Sequence, residues 1–171
     1  MRGLVALIAL LALAPAACKR EAKPQVTSLR AGTAAASVVK MNDPDAAAQL
    51  LSGFYAVEEN SWRWVGRKFS VALHPPRGAA QQGAFLRLKF NLPNGLVKQG
   101  PVTVSASVGS QALMPETYTE GGNYSYVRDI PASALGGDVV VNFTCDKALP
   151  PANGDIRELS LIAVSVGLEE K

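Results

Sequence analysis

Glu58 and Glu59 look like a carboxylate pair for acid–base chemistry. Cleavage of a glycosidic bond needs two carboxyl groups converging at roughly 5–9.5 Å. Neighbours on a strand point to opposite faces, so these two do not share a substrate. Asp155 would be the second carboxylate of a hydrolase built on Glu58, and nothing in the sequence brings the two together. The expectation is an exposed or salt-bridged pair at a strand end. His74 is the single histidine, and it precedes Pro75-Pro76 in a turn setting. One histidine without a cysteine or carboxylate cluster makes no zinc site. No G-x-S-x-G elbow exists, Asp43-x-Asp45 lacks the rest of a calcium loop, and no glycine pattern for phosphates occurs. No catalytic residue, metal ligand or cofactor is therefore expected, and the chain is not expected to be an enzyme.

The aromatic residues are a different resource. Gly53–Leu73 holds Phe54, Tyr55, Trp62, Trp64 and Phe69, including both tryptophans of the chain, although aromatics make up only 6% of it. Trp62 and Trp64 share one strand face and Arg63 points the other way. Indoles there either stack on sugar rings or fill a core. Trp64 is assigned to the core; for Trp62, nearer the turn at Asn60-Ser61, both readings stay open. Tyr118, Tyr124 and Tyr126 flank a turn at Gly121-Gly122-Asn123, and a phenol joins apolar area to a hydrogen-bonding tip. Trp62, Tyr124, Tyr126 and Tyr55 form the candidate ligand-binding set. Glu58, Arg63, Asp155 and Arg157 are expected to form a structural ion-pair network, with Arg63 facing Glu58 or Asp155.

These residues need strands to hold them. Phe69, Val71 and Leu73 alternate with Lys68 and Ser70; Leu86, Leu88, Phe90 and Leu92 with Arg87, Lys89 and Asn91; Val102, Val104 and Ala106 with Thr103, Ser105 and Ser107; Val139, Val141, Phe143 and Cys145 with Val140, Asn142 and Thr144. Period two marks strands with one buried and one wetter face. Leu159–Leu168 is apolar on both parities and reads as a strand covered on both sides. Pro- and Gly-rich turns separate the strands. Eight or so strands without a long helix predict an all-β fold, an antiparallel two-layer sandwich of jelly-roll type. Cys145 ends a strand and is expected to be buried as a small hydrophobe.

The N-terminal end reads as export and attachment. Arg2 precedes an apolar run, Leu4–Ala14, that is shorter than the roughly 20 residues of a spanning helix. Small residues and Cys18 follow, which predicts a signal peptide over 1–17. Ala16-Ala17-Cys18 resembles the lipobox of bacterial lipoproteins, which implies lipidation at Cys18 and a lipid-mediated membrane partner. Pro15 stands where that pattern prefers leucine, and ordinary cleavage after Ala16, giving a soluble periplasmic or secreted chain, stays open. Lys19 and Arg20 follow the cysteine without an adjacent aspartate, which resembles outer-membrane sorting, facing the periplasm. Residues 18–42 read as the lipidated N-terminus and a flexible tether, with a span of roughly 25–30 Å. Asp43 caps a short helix ended by Gly53, and the domain runs over 43–171. The formal charge of +3 is scattered, so nucleic acid is not an expected partner.

Gly53-Phe54-Tyr55-x-x-Glu58, Arg63-Trp64 and Asp155-x-Arg157-x-Leu159 together resemble a bacterial β-sandwich module attached to glycosyltransferases and envelope polysaccharide proteins, with Ser160 where that pattern has glycine. The resemblance implies a jelly-roll-like, carbohydrate-binding-like fold without catalysis. The expected function is a non-catalytic, lipid-anchored cell-envelope binding module for a carbohydrate or polysaccharide. An accessory subunit docking another envelope protein is the alternative, and a glycan hydrolase ranks last.

Overall fold

The computed structural model describes residues 35–171. The signal segment, Cys18 and most of the expected tether lie outside the described residues. The strands are β1 (Val38–Lys40), β2 (Leu50–Glu58), β3 (Trp62–Leu73), β4 (Ala84–Leu92), β5 (Val102–Val108), β6 (Gln111–Ala112), β7 (Glu116–Tyr118), β8 (Gly122–Ile130), β9 (Val139–Cys145) and β10 (Ile162–Glu169). Two single-turn helices, α1 (Ala79–Gln82) and α2 (Asn94–Val97), interrupt them. The fold is all-β and every strand pairing is antiparallel, as the alternation predicts. The two layers, however, are one continuous sheet, ordered β6-β5-β9-β3-β10-β4-β8 and curled on itself.

Strand β3 makes the curl. Its second half, Lys68–Leu73, pairs with β9, whereas Arg63 and Trp64 pair with β10, and β2 runs along its other edge. One long strand therefore belongs to both layers. Val65, Phe69, Val71 and Leu73 are buried, and Trp62, Trp64, Lys68 and Ser70 lie on the opposite, more open face. Ala72 is buried as well, and Arg67 is exposed. Within one layer Phe69 stacks on its cross-strand partner Phe143 at 4.9 Å, and the layers meet through aromatic rings, Tyr126 of β8 against Phe143 of β9 at 6.4 Å and Phe90 of β4 against Tyr118 of β7 at 5.4 Å. Burying such a side chain contributes about 1.5–3 kcal/mol. Cys145 lies in this core at 1% exposure, as expected, and burial raises its thiol pKa.

Three expectations change. Asp43 does turn the chain, its Oδ1 accepting from the Asp45 amide, but only a 3-10 turn over Ala47–Gln49 follows, because β2 already begins at Leu50. Gly53 therefore lies inside a strand. Its φ of +75° and the 2.0 Å separation between a Cβ built there and the Lys68 carbonyl oxygen mark an irregularity that only glycine fills. Ordered structure also reaches back into the expected tether. Strand β1 pairs with β10, and Val39 and Met41 are fully buried. Finally, β10 is interior to the sheet but open on its outer side, where a bulge between Ala163 and Ser165 leaves Val164 41% exposed.

Candidate functional site

The hairpin from β2 to β3 places the first group of site residues. Glu59 and Asn60, with φ of +50° and +48°, turn the chain so that Glu58 stands opposite Trp62. Glu58 and Glu59 are thereby separated: the first meets Arg157 and the second sits exposed on the turn. A second tight turn, Asn153-Gly154 with φ of +53° and +84°, joins the bridged residues Ala152 and Asp155. Two consecutive left-handed residues are the demand of a type I′ turn, which Asn-Gly meets.

That turn delivers Asp155 and Arg157 to Glu58. Arg157 donates through Nε to Asp155, through Nη2 to Asp155 Oδ2 at 2.8 Å, and through Nη1 to Glu58 Oε1 at 2.8 Å. Its backbone amide also donates to Asp155 Oδ1. These bonds hold the Asp155 carboxyl below the usual carboxylate range, and the two carboxylates raise the Arg157 pKa. The guanidinium lies 5.3 Å from the Tyr55 ring, and the Tyr55 hydroxyl donates to the Glu158 carbonyl. Three members of the expected network thus assemble. Arg63 does not join them. It is half-buried, and it donates through Nε to the Met41 carbonyl and through Nη1 to the Tyr55 carbonyl. Its place on the parity opposite the tryptophans aims it at the β1 end rather than at Glu58.

Trp62 and Trp64 form an edge-to-face pair, with ring centroids 6.1 Å apart and planes at 88°. Both are half-buried. The expectation that Trp64 fills the core is incorrect, because Val65 and the residues in phase with it occupy that face. Tyr126 also leaves the candidate ligand set: it is fully buried, its hydroxyl donating to the Met114 carbonyl. Tyr124 is half-buried at the core rim, 4.6 Å from Tyr118, with its hydroxyl on the Glu120 carbonyl. Tyr55 is committed to the Arg157 loop. Of the four expected ligand residues, Trp62 is the one whose ring lies on the outer face beside a second half-buried aromatic.

The sheet register adds residues that were not among the candidates. Trp64 stands opposite Ile162 of β10, Ile162 opposite Asn91 of β4, and Asn91 opposite Asn123 of β8. Directly opposed residues project from the same face, so these four form one outward row. Across three strand spacings it runs about 15 Å. Asn91 donates to Asn123 through its amide at 2.9 Å. The pair keeps one carbonyl oxygen and one amide group for a further partner. The neighbouring outward row is Lys40, Ser165, Lys89 and Ser125. The alternation of Arg87, Lys89 and Asn91 with buried residues was the signal for their orientation; their neighbours across the sheet were not readable.

Among the described residues, no group of three or more histidine, cysteine or acidic side chains could hold a metal ion. No protein-family model and no curated protein matches this chain. Among solved structures, the CBM36-1 domain of a multidomain xylanase from the hindgut metagenome of Trinervitermes trinervoides is similar to it at 13% identity and a TM-score of 0.36, over 58% of this chain and 69% of that one. A family GH115 4-O-methyl-alpha-glucuronidase with specificity for decorated arabinogalactans is similar at 10% identity and a TM-score of 0.45. That match covers 88% of this chain and 20% of the glucuronidase, so this chain spans about a fifth of its length.

Proposed function

We infer that this chain is a non-catalytic binding module for a glycan of the cell envelope, exported by residues 1–17 and held to the membrane by lipid on Cys18. One observation carries the binding reading: Trp62 and Trp64 lie half-exposed on the outside of the sheet, and Trp64 leads through Ile162 to the Asn91–Asn123 amide pair on the same face. Full burial of an aromatic ring is among the largest contributions a side chain makes to a core. Two indoles left half in water forgo part of it, and their flat apolar faces suit the C–H face of a sugar ring. The amides suit its hydroxyls. The carboxylates support the non-catalytic part. Glu58 and Asp155 are brought together, but around Arg157, which occupies both. A general acid must keep its proton near neutral pH, and Asp155 is shifted in the opposite direction.

A glycan panel read by affinity electrophoresis tests this. Trp62→Ala and Trp64→Ala are expected to abolish retardation while leaving the melting temperature within a few degrees of the parent. Unimpaired binding by both variants would overturn the site. Absence of all glycan binding, with one envelope protein co-purifying in fixed ratio, would favour the docking subunit instead. Attachment is read separately, from incorporation of a labelled fatty acid that Cys18→Ser removes.

A further inference from the structure

We propose that the outer face of the β1–β10–β4–β8 layer is built for an acidic glycan, one carrying carboxylates along its chain, with Lys40 and Lys89 as the residues that select it. This rests on the glycan-binding reading above and narrows it to a charge class. Lys40 and Lys89 both stand opposite Ser165, on β1 and β4, and so project from the same face two strand spacings apart, about 10 Å. Both are exposed. Among the described residues neither forms an ion pair, whereas the carboxylates of the same face are taken: Glu169 by Arg87 and Asp129 by Lys171. On these four strands, among the described residues, the face therefore offers two ammonium groups outside any ion pair, and its two carboxylates are both paired.

The row beside them supplies the other half of such a site. Asn91 follows Lys89 at the next outward position of β4, about 7 Å away, and leads through Ile162 to the Trp64 indole. A chain lying across the strands along this row would stack on Trp64 and hydrogen-bond the Asn91–Asn123 pair. Its carboxylates would then fall beside the lysine row. Ser165 and Ser125, between and beyond the lysines, add hydroxyls and no bulk. The lysines are point charges on flexible stems, which suits carboxylates repeated along a polymer rather than one fixed bidentate anion.

The test uses the full chain in detergent micelles and two probes: polygalacturonate and its fully methyl-esterified, uncharged form. The expected result is tighter binding of the acid form, about tenfold at low salt, with the preference fading as salt is raised past a Debye length of about 8 Å. Lys40→Ala with Lys89→Ala should remove that preference and leave binding of the ester unchanged. Equal binding of the two probes, insensitive to both lysines but lost in Trp64→Ala, would overturn the charge assignment and leave the glycan reading standing. Binding of neither probe, nor of any glycan in the panel, would overturn both.

Discussion

Removing β1 should cost this domain much of its stability, although the sequence assigns those residues to a tether. The comparison is between a fragment of residues 35–171 and one of residues 43–171. The shorter chain loses Val39 and Met41, both at 0% exposure. At about 1.5–3 kcal/mol for each buried apolar side chain, the loss is about 3–6 kcal/mol, an upper figure because unfolded chains already bury some surface. Arg63 loses the Met41 carbonyl, and Gln49, at 5% exposure, loses both its bonds to Ala36 and keeps only the Ala72 carbonyl. Water reaches half-buried Arg63, so its share lies at the low end of the roughly 1.5–3 kcal/mol for a charged hydrogen bond. Without Gln49 the sum is about 4.5–7.5 kcal/mol, against a typical domain stability of about 5–15 kcal/mol. With a urea slope of about 2 kcal/mol/M, the unfolding midpoint should fall by about 2–4 M. Met41→Ala in the longer fragment should reproduce about 2–5 kcal/mol of it. Midpoints agreeing within about 0.5 M would mean that β1 adds nothing to the sheet, and the reasoning would fail with it.

Gly53→Val should destabilise by more than about 3 kcal/mol in the same urea assay, since it places a Cβ 2.0 Å from the Lys68 carbonyl oxygen at a φ of +75°. Among the described residues the buried Tyr118 hydroxyl has no hydrogen-bond partner, and burial followed by the Glu116 charge raises its pKa. A phenol whose folded pKa lies above the unfolded value near 10 contributes stability that is complete below pH 10 and is lost as pH rises beyond it. Tyr118→Phe should be neutral or stabilising by about 1 kcal/mol at pH 7 and should flatten the alkaline fall in melting temperature. In the fragment of residues 35–171, whose single thiol is Cys145, a disulfide reagent should react only at the rate of unfolding, because the thiol is buried and its pKa raised.

Strand faces were legible because alternation fixes parity, and parity fixes which residues turn inward. Leu86, Leu88, Phe90 and Leu92 are buried as the pattern requires. Parity alone does not say which of two apolar sets takes the core when they compete, as on β3. There the tryptophans are larger, but Val65, Phe69, Val71 and Leu73 form the longer in-phase series, and a strand cannot turn both faces inward. Residues 36–41 were misread for lack of length: three residues of strand carry too little periodicity to stand out beside an alanine-rich stretch. The Glu58–Asp155–Arg157 cluster was foreseen from residue types, whereas Arg63 was lost to it because its acceptors are backbone carbonyls, which no sequence pattern displays.

The candidate face depends on the same division of β3. Because its first half pairs with β10 and its second half with β9, the outward tryptophans lie between β2 and β10, in the layer whose far strand is β8. Had β3 continued beside β9 throughout, Trp64 would have no route through Ile162 to Asn91, and the indole and the amides would lie on different layers. Strands also hold these groups at low entropic cost. The row's backbone is fixed by ladder hydrogen bonds before any ligand arrives, so in the proposed complex the ordering penalty would fall on the glycan and on the two lysine stems. A rigid row of stacking and hydrogen-bonding groups would therefore set the register of the bound chain, and the mobile charges would set its composition. Substituting Trp64 should weaken every glycan that binds, and substituting the lysines should change only which one is preferred.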